Sequence, residues 1–69
     1  MERWPALLTL SEAANYLNVG ETTIKRLRAT EEISSVRIRG SIIRYRRVDL
    51  DKFIEELPEA VGEFKGKQN

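Results

Sequence analysis

Sixty-nine residues make one small domain, a size that hides only about 60% of the unfolded surface and leaves no room for an enzyme cleft with its own supporting shells. The absence of Cys and His removes disulfides, the usual thiol and imidazole metal ligands and the commonest general base, so neither an enzyme nor a cofactor is expected. The net charge of +1 is unevenly spread: residues 1–20 carry −1, residues 21–47 carry +5 from eight basic and three acidic side chains, and residues 48–69 carry −3. Seven arginines within one 27-residue stretch imply a nucleic-acid footprint on one face, with the acidic remainder limiting non-specific adhesion.

No segment approaches the roughly 18 apolar residues of a membrane span, and MERWPALLTL lacks the pattern of a cleaved leader. The expectation is a soluble cytoplasmic protein, associated with the nucleoid and not with a membrane.

In chain order, Trp4 and Pro5 are expected to cover the open side of the core. A first helix is predicted over Ser11 to Asn18, with the Ser11 hydroxyl as cap and Glu12 at the positive helix end. Asn18-Val19-Gly20 then makes a three-residue turn, and a second helix runs from Glu21 to about Thr30 with Gly20 as its N-cap. Leu10, Ala13 or Ala14, Leu17, Val19, Ile24 and Leu27 fall where two crossing helices need apolar contacts, the layout of a helix-turn-helix DNA reader.

On the second helix, stepping 100° per residue from Ile24 puts Leu27 60° to one side, so the buried direction lies between them. Thr22, Lys25, Arg26 and Ala29 face away from it, Thr23 and Thr30 lie on one flank, and Arg28 lies on the other with its stem on apolar neighbours. Short side chains beside Arg and Lys suit a helix that enters the major groove. An ordinary solvated face is the bland alternative.

The period then changes to two. Ser35-Val36-Arg37-Ile38-Arg39, the turn Gly40-Ser41, and Ile43-Arg44-Tyr45-Arg46 predict a two-stranded hairpin. Val36, Ile38, Ile43 and Tyr45 are expected to face the helices and Arg37, Arg39, Arg44 and Arg46 the other side, although Ile42 beside Ile43 leaves the register open by one residue. Such a hairpin is a wing: Gly40 permits close backbone approach, and Arg39, with Ser41 beside it, can enter a narrow minor groove or grip its phosphate walls. A charged edge that blocks strand pairing is the alternative.

Leu50, Phe53, Ile54 and Leu57 at i, i+3, i+4 and i+7 predict a last packing helix, with Asp49 and Asp51 in its first turn and Pro58 marking its end. The predicted architecture is thus α+β, a small winged helix-turn-helix: helix, turn, recognition helix, two-stranded wing, C-terminal helix. The DNA-binding domain is placed at 1–58 and a flexible tail at 59–69, with Val61 and Phe64 as an alternative partner-binding stub.

The run LLTLSEAANYLNVGETTIKRLRA, the strand pair around RIRGSIIRYRR and the segment VDLDKFIEEL resemble the excisionase class (recombination directionality factors) of winged helix-turn-helix proteins, related in fold to the DNA-binding domain of MerR-type regulators. The resemblance covers about residues 7 to 57. Typical members have Ser or Thr where Gly20 stands and a Gly-x-Pro-like turn where this chain has Glu31-Glu32-Ile33-Ser34. The resemblance implies a phage or mobile-element protein that binds repeated sites beside an attachment site, bends the DNA and directs an integrase toward excision. It also implies that Thr22, Thr23, Lys25 and Arg26 lie in the major groove and Arg39 and Ser41 over the adjacent minor groove.

Together the candidate DNA-binding residues are Thr22, Thr23, Lys25, Arg26, Arg28, Arg37, Arg39, Ser41, Arg44 and Arg46, and the partner is double-stranded DNA. Neutralising about five phosphates predicts a log–log salt slope near −4 to −5. Weak single-copy binding and the opposed charges of the basic block and the acidic C-terminal region favour head-to-tail self-association on neighbouring sites. A small transcription regulator shares this DNA-binding face, and a protein-interaction module using the basic surface on an acidic partner is the reading from a different class.

Overall fold

A computed structural model describes residues 4–60. The elements are β1 (Leu7–Leu8), α1 (Leu10–Leu17), α2 (Glu21–Ala29), β2 (Val36–Ile38), β3 (Ile42–Arg46) and α3 (Arg47–Glu55). Glu59 and Ala60 are exposed and outside any element, whereas Val61 and Phe64 lie beyond the described residues.

The first helix begins one residue earlier than the spacing predicts, and its cap is Thr9, not Ser11. The Thr9 hydroxyl accepts from the Glu12 backbone N–H at 3.1 Å, and the Thr9 N–H donates to Glu12 Oε1 at 2.9 Å. Thr9-x-x-Glu12 is therefore a full capping box, which satisfies two free donors reciprocally, whereas Ser11 is already inside the helix. At the other end Asn18 adopts the left-handed conformation (φ 58°), its N–H donating to Asn15 and that of Val19 to Ala14. That closure turns the chain toward α2, whose N-cap Gly20 offers no side-chain hydrogen bond.

The end of α2 is closed in the same way by Glu31 (φ 62°), with N–H groups of Glu31 and Glu32 donating to Arg28 and Leu27. A glutamate thus occupies a left-handed position that ordinarily favours Gly. The turn delivers Ile33 to the core, where it is 4% exposed.

Three strands form one antiparallel sheet in the order β1-β3-β2. β1 has no counterpart in the sequence reading: Leu7 pairs with Arg46 and Leu8 with Tyr45. In the hairpin Val36 pairs with Arg44, Arg37 with Ile43 and Ile38 with Ile42. Directly opposed residues share a face, so Leu8, Ile43 and Tyr45 point at the helices with Arg37 beside them. Val36, Ile38 and Ile42 lie on the outer face with Arg44, Arg46 and Leu7. This corrects the expected placement of Val36, Ile38 and Arg37. β3 begins at Ile42, one residue early, and the registry is settled by Tyr45, which is 2% exposed in the core.

The core is Leu8, Ala13, Ala14, Ile24, Ile33, Tyr45 and Leu50, with Trp4, Leu10, Tyr16, Leu17, Leu27, Ile43 and Phe53 packed around it. Leu8, Ile24 and Leu50 are wholly buried, and each contributes roughly 1.5–3 kcal/mol of transfer free energy. The Trp4 ring meets Tyr16 edge-on, centroids 5.1 Å apart, and so covers the core side as expected. α3 starts at Arg47, which puts Asp49 in its first turn and Asp51 just beyond it. Its apolar stripe is only partly covered: Leu50 is buried, but Ile54 and Leu57 are exposed. With three helices and a three-stranded sheet, the arrangement is α+β and of winged helix-turn-helix type.

Candidate nucleic-acid interface

α2 stands out from the body on a single buried anchor, Ile24, with Leu27 half-buried beside it. Thr22, Thr23, Lys25, Arg26, Arg28 and Ala29 are all exposed. Lys25, Arg28 and Ala29 line one flank, Thr22 and Arg26 face outward, and Thr23 lies on the opposite flank beside Leu27. Glu21 in the first turn and Arg26 and Arg28 in the last complement the helix dipole, which leaves the cations toward the C-terminal end.

Between this flank and the hairpin lies a cleft of about 300 Å³ whose floor is Leu10, Ala29, Ile43 and Tyr45 and whose wall carries Lys25 and Arg28. The apolar floor is a feature the sequence reading missed, although the alternation Ile43-x-Tyr45 carried its signal. On the hairpin, Arg37 shares the sheet face of Ile43, a residue of the cleft floor, without lining the cleft itself. The Arg37 guanidinium donates to the Gly40 carbonyl at 3.1 Å, tying the arginine to the wing tip.

At the tip Ile38 pairs with Ile42, so Arg39, Gly40 and Ser41 form a three-residue connection. Arg39 and Gly40 take successive positive φ values, 55° and 84°. Only the second is occupied by a residue that tolerates it freely, so the arginine side chain is held at a bend. Beyond Gly40 and its two chain neighbours, nothing lies within 4 Å of where a Gly40 side chain would begin, so the backbone there is open to close approach. Arg39 and Ser41 are both exposed.

The remaining candidates are not brought to this side. Arg44 is half-buried on the outer sheet face and donates to the Ile43 carbonyl at 2.9 Å. Arg46, also on that face, makes a bidentate pair with Asp49, Nε to Oδ2 at 2.9 Å and Nη2 to Oδ1 at 3.0 Å. The carboxylate raises the Arg46 pKa above its already high ordinary value. Arg47, part of the same basic block, donates to the Trp4 carbonyl at 2.7 Å. Of the candidates, Lys25 and Arg28 line the cleft itself, Thr22 and Arg26 lie on the same helix, and Arg37, Arg39 and Ser41 lie on the hairpin next to it.

Among the described residues no three His, Cys, Asp or Glu side chains come together as a metal-holding group, and no helix is long and apolar enough to cross a membrane. A search of curated proteins gives no significant match. Residues 7–58 match the model of the helix-turn-helix domain family, which includes excisionase-like DNA-binding proteins; with a match from β1 to just past α3, the chain belongs to that family.

Proposed function

We propose that the protein is a sequence-specific DNA-binding excisionase, which binds and bends duplex DNA near the attachment site of a phage or mobile element and directs an integrase toward excision. The observation that carries the DNA-binding part is the placement of Lys25 and Arg28 on the wall of the cleft between α2 and the hairpin, with Arg37 on the hairpin sharing the sheet face of Ile43. In this reading α2 enters the major groove with Thr22 and Arg26 toward base edges. The sugar–phosphate backbone passes through the cleft, its charge met by Lys25, Arg28 and Arg37 and its sugars by the apolar floor. Arg39 reaches the adjacent minor groove, and the open backbone at Gly40 allows the close contact this needs. Several copies on neighbouring sites, associated head to tail, supply the occupancy that one small domain lacks.

The test is anisotropy on a duplex library across a salt series, followed by an excision assay with the integrase encoded beside the selected site. The reading predicts that Arg26→Ala relaxes sequence preference while Arg39→Ala weakens all duplexes alike. Sequence-specific binding with no effect on recombination would leave a small transcription regulator. Absence of duplex binding would leave the protein-interaction module.

A further inference from the structure

α2 has a second, unlike flank. On the side opposite Lys25 and Arg28, a groove of about 490 Å³ opens between α2 and α3, with α1 as its floor, lined chiefly by Leu17, Val19, Leu27, Phe53, Ile54 and Leu57. Three of these are large apolar side chains left in water: Val19 is 39% exposed, Ile54 43% and Leu57 51%. Scattered surface hydrophobes are ordinary, but these share one concave groove instead of lying singly on the surface.

The rim has a sign. An adjoining hollow that shares Phe53 and Leu57 with the groove is lined by Glu31, Glu32 and Glu56. Among the described residues neither lining contains Lys or Arg. An acidic edge repels phosphate, so this flank is unsuited to nucleic acid and suited to a cationic polypeptide.

We infer that the α2–α3 groove docks an amphipathic helix of a partner protein, its apolar residues seated between Leu27, Ile54 and Leu57 and its flanking Lys or Arg residues set against Glu32 and Glu56. An elongated apolar trough between two helices accepts anchors at i, i+3 or i+4 and i+7 from one helix face. Because the groove and the cleft lie on opposite flanks of α2, occupancy of one leaves the other open. The inference stands on the groove alone and does not depend on the DNA reading.

The test is a titration of the full chain, methyl-labelled for NMR and free of DNA, with a synthetic 14-residue helix of Leu and Lys arranged as one apolar and one cationic face. The expected result is saturable shifts confined to Leu17, Val19, Leu27, Ile54 and Leu57. A matched Leu/Glu helix should give none. Glu32→Lys with Glu56→Lys should weaken binding at least tenfold, and so should Leu57→Gln, whose exposed position lets the fold survive. Retained methyl dispersion checks that it does. Equal binding of the two helices, shifts spread over the surface or centred on the cleft, or no saturable shift overturns the inference. So does broadening of the groove methyls with rising protein concentration alone, which would mark a second copy as occupant.

Discussion

The hairpin register assigns opposite roles to two arginines that sequence alone treats alike, and a salt series separates them. Arg37 shares the face of Ile43 beside the cleft, whereas Arg46 lies on the outer face and is paired with Asp49. If the DNA-facing cations are Lys25, Arg26, Arg28, Arg37 and Arg39, the slope of log K against log salt is about −4.5, at about 0.9 per neutralised phosphate. Arg37→Ala then brings it to about −3.6, so that raising salt from about 50 to about 200 mM weakens binding about 150-fold in place of about 500-fold. Arg46→Ala should leave the slope unchanged and, because the ion pair is exposed, alter the melting temperature little. Anisotropy on one fixed duplex measures both, and circular dichroism checks that the hairpin survives loss of the Arg37–Gly40 hydrogen bond. A slope that falls for Arg46→Ala and holds for Arg37→Ala would mean that DNA lies on the outer sheet face and not along the cleft.

Three further expectations concern the frame that holds these groups. Thr9→Ala removes half of the capping box and should cost about 1 kcal/mol, a fall of about 4–8 °C in Tm read by calorimetry. Glu31→Gly should stabilise by about 0.5–1 kcal/mol in urea unfolding, because relief of a left-handed residue outweighs the added freedom of the unfolded chain. The Tyr16 hydroxyl donates to Asp51 Oδ1 at 2.5 Å, and that hydrogen bond, with lesser help from desolvation and the carboxylate charge, raises the phenol pKa above 10. The protonated phenol is the form the fold favours, so its contribution is complete below about pH 10 and is lost as pH climbs through the raised value. Denaturant midpoints of Tyr16→Phe should therefore fall less on the alkaline side than those of the unaltered chain, and equal alkaline falls would count against this account.

Much of the architecture was legible because it rests on local periodicity. Ile24 and Leu27 identified the buried side of α2, and Leu50 with Phe53 the packing side of α3. What escaped the sequence reading is decided by contacts far apart in the chain. β1 is two residues long, too short for any alternation, and exists because Leu8 finds Tyr45. Ile42-Ile43 allowed either register, and the burial of Tyr45 beside Leu8 selects the one seen. Ser11 and Thr9 are both competent caps, and the glutamate three residues after Thr9 is the signal that distinguishes them. The candidate site followed the same pattern. Its helical part is placed by local spacing, whereas its hairpin part divides into Arg37 on the face of Ile43 and Arg44 and Arg46 on the outer face only once strands are paired.

The Leu8–Tyr45 pairing also governs when the molecule can exist. The α1–α2 unit and the hairpin are local and form within microseconds, but the core is sealed only when β1 closes a long loop onto β3 and Leu50 is in place. A product terminated before Tyr45 would retain the whole recognition helix yet unfold and be degraded, so incomplete chains would not compete with finished ones for their sites.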